Sequence, residues 1–237
     1  EYQRSTGRLN IAMLEVDLDF CRGFINFLRT AKNRRLKSEE RTISNCTGLQ
    51  TQAVFTAALN TALRDGIIER NPMTLLTSKE RFHQQESTRV YLTIDELKRM
   101  MATPCDDGEL KKAFLFACFT GLRLSDIRTF TWNKVLTTPN DSTRYIRVRM
   151  LKTQQVVNVP LSKDALGYLR ETEDGDEPIF RLSSAASVIE QRLAEWAKKA
   201  GIEKHVTFHV SRHSYATMML TIGVDIYTVS KLLGCRY

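Results

Sequence analysis

His209, Arg212 and His213 stand in the run His-Val-Ser-Arg-His, two residues after Thr207. With Thr207 as the N-cap of a helix, His209 falls in the first turn and Arg212 one turn later on the same face. A helix N-terminus favours anions through its free N–H groups and its dipole. A guanidinium fork and an imidazole added to that end make a clamp for a phosphate-like group. The same stretch offers a rival, because His205, His209 and His213 follow at i, i+4 and i+8, a spacing that can hold zinc. The rival is the weaker one: His205 precedes the helix start, no carboxylate stands between His209 and His213 where a metalloprotease has one, and no cysteine is near in sequence.

Three other groups of cations could act on an anion. Arg123 lies in Thr-Gly-Leu-Arg-Leu-Ser-Asp (120–126), directly after the most apolar segment of the chain. It either forms an ion pair with Asp126, three residues on, or stays available for a ligand. Lys152 sits between two strand-like runs, as a solvated lysine or as an ammonium projected from a stiff base. Arg29, Lys32, Arg34, Arg35 and Lys37 form a basic stretch, read as a solvated inter-helix loop or as phosphate contacts.

The elements that must position these groups are mostly helices. Phe20, Phe24, Phe27 and Leu28 follow helical spacing and predict one apolar stripe. A second helix is expected over about 49–65, through Val54, Ala57, Ala58 and Leu63, stopped by Gly66 and then by Asn71-Pro72. Residues 78–89 are polar and aperiodic and read as a linker. Thr93-Ile-Asp-Glu96 is a capping box that opens a new domain. Ala113 to Phe119 is apolar on all sides and predicts a buried helix ended by Thr120-Gly121. Residues 145–150 and 156–159 alternate as strands, with Lys152 in the turn between them. A helix capped by Ser183 or Ser184 follows, through Ile189, Leu193 and Trp196 to Gly201. Another is expected from Thr207 to Gly223, and a last one over about Asp225 to Leu233. The expected organisation is a small helical domain over 1–85 and a larger one over 86–237, mainly α with a small β-sheet.

Charge points the same way as the cation groups. Thirty-five Lys and Arg against 27 Asp and Glu give a net +8 over 237 residues and a pI near 9.3, which suits an anionic polymer as partner. The excess is shared by both halves. Hydrophobic residues at 42% and charged residues at 26% are ordinary for a folded chain and argue against disorder. Five scattered cysteines with no C-x-x-C pair exclude a disulfide framework or a zinc knuckle and fit a reducing compartment. No apolar run approaches a membrane span, and no signal peptide opens the chain, so no membrane association and a cytoplasmic location are expected.

The order Thr-Gly-Leu-Arg-Leu-Ser-Asp-Ile, a hairpin lysine, His-Val-Ser-Arg-His-Ser-Tyr-Ala-Thr and Val-Ser-Lys-Leu-Leu-Gly resembles the tyrosine recombinases. It is most similar to integrases of phages and conjugative transposons, including those of Bacteroides-type bacteria. The likeness covers essentially the whole chain. It implies a helical, SAM-like core-binding domain followed by a catalytic domain, together clamping duplex DNA, and an enzyme that needs no metal and no organic cofactor. It further implies that Arg123, Lys152, His209 and Arg212 are catalytic, with a tyrosine as nucleophile forming a 3′-phosphotyrosyl link. Assembly as a homo-tetramer on two DNA sites and DNA-bending accessory proteins are implied with it, for integration or excision of a mobile element.

Two departures from that pattern stand out. Cys235 follows Leu-Leu-Gly where such enzymes have His or Trp, and a thiol is a poorer hydrogen-bond donor than either. Tyr237 follows only two residues later, closer than the pattern places its tyrosine, so the nucleophile is either Tyr237 or a residue beyond a C-terminal truncation. A non-catalytic DNA-binding relative and a type IB topoisomerase are the competing readings.

Overall fold

The structure is a computed structural model that describes residues 2–5, 7, 11–33, 42–85, 89–140, 142–170 and 175–235. It divides into two compact units, 1–87 and 88–237. Arg34, Arg35, Lys37 and Tyr237 lie outside the described residues.

The first unit is helical. It contains α1 (Tyr2–Ser5), α2 (Leu18–Thr30) and α3 (Asn45–Arg64), followed by two 3-10 turns at Pro72–Leu75 and Ser78–Glu80. Asp17 caps α2 by accepting the Phe20 N–H, and Ser44 caps α3 by accepting that of Thr47. The stripe on α2 is rotated from the expected one. Its buried centre is Cys21, Ile25 and Leu28, while Phe20 and Phe24 flank it and share ring contacts with Tyr2 and Phe55.

The helix expected over 49–65 begins four residues earlier, and its inward face is different. Val54, Ala57 and Ala58 are exposed, whereas Gly48, Leu59 and Ala62 are buried. Gly48 is the reason. A Cβ there would lie 2.5 Å from the Phe82 ring, so the absence of a side chain admits Phe82 and sets which face turns inward. That packing also shortens the expected linker. Phe82 N–H donates to Gln52, Arg81 donates to the Thr74 carbonyl and Asn45 donates to the His83 carbonyl. Polar composition predicted a linker from residue 78, but these hydrogen bonds tie 78–83 into the first unit.

The second unit is built around one helix. Its elements are α4 (Ile94–Ala102), α5 (Gly108–Thr120), α6 (Leu124–Arg128), β1 (Val135–Thr137), β2 (Arg144–Arg149), β3 (Val156–Pro160), α7 (Lys163–Gly167), α8 (Ala186–Lys199), α9 (Phe208–Thr221) and α10 (Ile226–Leu232). The Thr93–Glu96 capping box forms as expected. Residues 113–118 of α5 are fully buried. Phe114 meets Trp196 of α8 and Phe208 of α9 edge-on, and Phe116 packs against Phe130 and Phe180. Burial of such side chains stabilises a core by about 1.5–3 kcal/mol each.

The sheet is antiparallel in the order β1-β2-β3, with Ile146 opposite Val159 and Val148 opposite Val157. Ile146, Val148, Val157 and Val159 face the core. β1, α6 and α7 are short and carry no periodic signal that the sequence reading could use. Neither Ser183 nor Ser184 caps α8: the N-cap is Ala185, and Ser183 Oγ instead accepts the Ala185 N–H at 3.3 Å. Among the described residues, no helix is long and apolar enough to cross a membrane.

Candidate anion-binding site

The site is organised by Gly121, which ends α5 in the left-handed conformation at φ +68°. A Cβ there would stand 2.6 Å from Tyr215 and 2.7 Å from Leu233, so only glycine lets α5, α9 and α10 converge at this point. Leu122 then buries itself completely, and Arg123 follows in extended conformation as the N-cap residue of α6.

Arg212 projects from α9 into this junction and is almost wholly buried. Its Nη1 donates to the Gly121 carbonyl at 2.7 Å, its Nη2 donates to the Leu233 carbonyl, and Nη2 lies 4.0 Å from Cys235 Sγ. A guanidinium has five N–H donors, so these contacts orient the group and leave others to present. Burial first, and the nearby positive charge of Arg123 second, pull its pKa down from 12.5 to about 10.

Arg123 has a different surrounding. Its Nη1 is buried and has no hydrogen-bond acceptor among the described residues. Asp126, which the spacing offered as its ion-pair partner, is used elsewhere: Oδ1 accepts the Leu151 backbone N–H at 2.9 Å, while Oδ2 is buried with no hydrogen-bond partner among the described residues. Among the described residues, no ion pair includes Arg123 or Arg212. Two guanidiniums thus share one pocket of charge with no carboxylate bound to either. That arrangement is costly unless an anion occupies it.

His209 stands exposed on the first turn of α9. Its pKa is lowered, first by the water its surroundings exclude, then by His213, Arg212, Arg123 and Arg89 in that order. The rings of His209 and His213 meet edge to face, centroids 4.7 Å apart. Thr207 holds the expected N-cap position but makes no side-chain cap. The helix end is also less open to an anion than expected, because the Glu190 carboxylate of α8 accepts the Phe208 N–H at 3.3 Å. Positive charge here therefore comes from side chains more than from the first free amide.

Lys152 is exposed in the turn between β2 and β3. The turn is closed by a Met150 N–H to Gln155 carbonyl bond at 2.9 Å, with Gln154 in the left-handed region at φ +58°. The structure thus brings Arg123, His209, Arg212 and Cys235 into one neighbourhood and places Lys152 one residue from the Asp126 tether. Arg29 lies in the other unit, where it donates to the carbonyls of Lys79 and Glu80 and stacks over Phe82. Lys32 pairs with Thr42 as an isolated bridge. Among the described residues, no group of three His, Cys, Asp or Glu side chains converges on a common point that could hold a metal.

Two features were missed in the sequence. Asp126 links the Arg123 segment to the hairpin, and its three-residue spacing from Arg123 was visible but pointed to the wrong partner. Behind burial, Arg89 adds to the lowering of the pKa of both histidines from a segment read as linker. The chain there is fixed by Leu92, whose N–H donates to the buried Ser214 Oγ at 2.8 Å.

Residues 90–236 match the phage integrase family, and residues 1–82 match the phage integrase SAM-like domain. A tyrosine recombinase of Thermosipho africanus is 30% identical over 179 residues, 71% of this chain and 60% of that one. The tyrosine recombinase XerC of Neisseria meningitidis serogroup B is 33% identical over 165 residues, 64% of this chain and 54% of that one. The chain thus spans 54–60% of the length of these relatives. In structure it is similar to a lambda integrase in a dimer bound to a COC′ core site, with TM-score 0.72, 19% identity, and 99% of this chain and 81% of that one covered. It is also similar to the Tn1549 transposon integrase in complex with transposon right end DNA, with TM-score 0.69, 18% identity, and 96% and 80% covered.

Proposed function

The chain belongs to the phage integrase family, and from that premise we propose that it acts as a site-specific DNA recombinase, cutting and rejoining DNA through a 3′-phosphotyrosyl intermediate. The observation that carries the reading is the pair Arg123 and Arg212: burial first and the charge of Arg123 second pull down the pKa of Arg212, and the buried Arg123 Nη1 has no acceptor among the described residues. A scissile phosphodiester supplies the missing anion.

In this reading a tyrosine hydroxyl attacks phosphorus, the bond to the 5′-oxygen breaks, and the DNA 3′-phosphate becomes an ester of the tyrosine. The 5′-hydroxyl of a partner strand later attacks that ester and releases the tyrosine, so no ATP is consumed. Negative charge grows on the non-bridging oxygens of the transition state, where Arg123 and Arg212 oppose it. Arginine suits this role because its fork matches two oxygens and it stays charged even at a lowered pKa. His209 hydrogen-bonds the phosphate or moves the tyrosine proton. Lys152 delivers a proton to the leaving 5′-oxygen. Asp126 positions the hairpin that carries it. The two arginines take the place that metal ions fill in other phosphoryl-transfer sites, and neither a metal nor a cofactor enters the scheme.

Unit 1–87 serves as the core-binding domain and unit 88–237 as the catalytic domain, with duplex DNA as partner in the bacterial cytoplasm. The solved integrase–DNA complexes with the same fold support that partner. Assembly as four copies on two sites, with DNA-bending proteins, belongs to the same proposal.

The test is covalent trapping on nicked junction DNA in EDTA, read on a denaturing gel, for this chain and for the full gene product. An adduct that forms without metal and disappears in Arg123→Ala and Arg212→Ala supports the reading, and its loss in Tyr237→Phe identifies Tyr237 as the nucleophile. Tight binding with no adduct from either protein overturns it in favour of a non-catalytic DNA-binding relative.

A further inference from the structure

The solvent side of the small sheet carries a charge pattern that the site above does not use. Along β2 the even-numbered side chains Ile146 and Val148 are buried, so Arg147 and Arg149 point outward together. Two positions apart on one strand face, they stand about 7 Å from each other. Their cross-strand neighbours on β3 are Asn158 and Val156, and the next pair outward is Tyr145 with Pro160. Among the described residues, no acidic side chain belongs to this face of the strands and neither arginine is in an ion pair. Sheets are stabilised by opposite charges on facing positions and weakened by like charges placed together. Here the fold sets two cations side by side and gives them only neutral partners.

The row has a direction. β2 runs from Arg144 through Arg149 into Met150 and the turn, where Lys152 is exposed. Asp126 holds that turn through Leu151, so the arginine row and the lysine ride on one rigid hairpin. A ligand that touches Lys152 and extends back along β2 meets Arg149 and then Arg147. It must carry negative charge at regular intervals over more than one contact, which describes a polyanion strand rather than a single small anion.

We propose that Arg147 and Arg149 form a phosphate-contacting track on the outer face of the sheet, holding the DNA backbone beyond the scissile phosphate on the Lys152 side. This inference rests on the recombinase reading above and deepens it. The proposed contacts are to backbone phosphates, which position DNA without reading its sequence. It acts on affinity and on the path of the strand.

The test is the salt dependence of binding, by fluorescence anisotropy, of the full chain to junction DNA and to unrelated duplex DNA. Each phosphate contact contributes about 0.9 to the slope of log K against log salt, so Arg147→Gln/Arg149→Gln reduces the slope by about 2. The loss is the same on both DNAs. Arg144→Gln, of the opposite parity on the same strand, is the control and leaves the slope near that of the parent chain. Circular dichroism checks that the sheet is retained, which the exposure of both side chains predicts. An unchanged slope in the double variant overturns the track while leaving the recombinase reading intact. So does an equal loss in Arg144→Gln, which would assign the effect to net charge, and so does an acidic peptide that binds this face more tightly than DNA. If the unaltered chain binds no DNA at all, the recombinase reading fails, and the track fails with it.

Discussion

The Oδ1 atom of Asp126 accepts the backbone N–H of Leu151 at 2.9 Å, so the carboxylate three residues after Arg123 holds the residue just before Lys152. One buried side chain therefore couples two parts of the site that lie far apart along the chain. The relationship makes the turn a fixed platform and leaves the Arg123 guanidinium without the partner that its sequence neighbour could have supplied.

Replacing Asp126 tests that coupling. Asp126→Ala leaves the Leu151 N–H without its charged acceptor and is expected to cost about 1.5–3 kcal/mol of stability. Asp126→Asn keeps a carbonyl acceptor and costs less. Urea unfolding measures the difference, and hydrogen exchange at the Leu151 amide reports it locally. Full protection of that amide in the alanine variant would show that the tether does not hold the turn.

Arg212 has a structural role as well as its proposed chemical one, because it ties the Gly121 carbonyl after α5 to the Leu233 carbonyl after α10. Arg212→Ala is expected to destabilise the unit by about 1.5–3 kcal/mol, the range for hydrogen bonds made by a charged group. Arg123→Ala breaks no such tie and should unfold at nearly the urea concentration of the parent chain. The two midpoints compared side by side decide the matter. Equal losses in both variants would contradict the separation of roles.

His209 and His213 both titrate below the ordinary imidazole value of 6.5. As pH falls through 6.5 the unfolded chain takes up these protons before the folded one does, so unfolding is coupled to proton uptake. Stability from this pair is therefore complete above 6.5 and declines below it. The expected result is a lower urea midpoint at pH 5.5 than at pH 7.5, with a smaller difference in His209→Gln/His213→Gln. A double variant with the same pH dependence as the parent would locate the effect in other groups.

Cys235 is exposed, with its sulfur 4.0 Å from Arg212 Nη2. A maleimide on that sulfur would crowd the proposed phosphate position. Treatment with N-ethylmaleimide should therefore abolish adduct formation on nicked DNA, and Cys235→Ser should be resistant. Cys21 and Cys118 are buried, and burial pushes both thiols up, that of Cys21 to about 11, so peptide mapping should find them unmodified. An alkylated chain that still cleaves would remove Cys235 from the site.

Much of the architecture was legible because local physics writes it into the chain. The Thr93–Glu96 box, the apolar run of α5, the alternation of β2 and β3 and the glycine after α5 each satisfy a rule within a few residues. The same holds for the residues of the site, whose types and order suggested phosphate chemistry before any contact was known. β1, α6 and α7, each of three to five residues, were not legible, since none of them shows a period.

What the sequence by itself determined is therefore the longer helices, the β2–β3 hairpin and the cationic character, and it singled out Arg123, Lys152, His209 and Arg212 as candidates. Only the tertiary structure decided who partners whom. The inward face of α3 depends on Phe82 entering over Gly48, more than thirty positions away. The partner of Asp126 is Leu151 and not Arg123, and the first amide of α9 is taken by Glu190 of α8. The physical reason is common to all three cases. A buried polar group or a missing side chain is matched by whatever the packing brings within hydrogen-bond or van der Waals reach, and that choice is made in space between groups that sequence spacing does not relate.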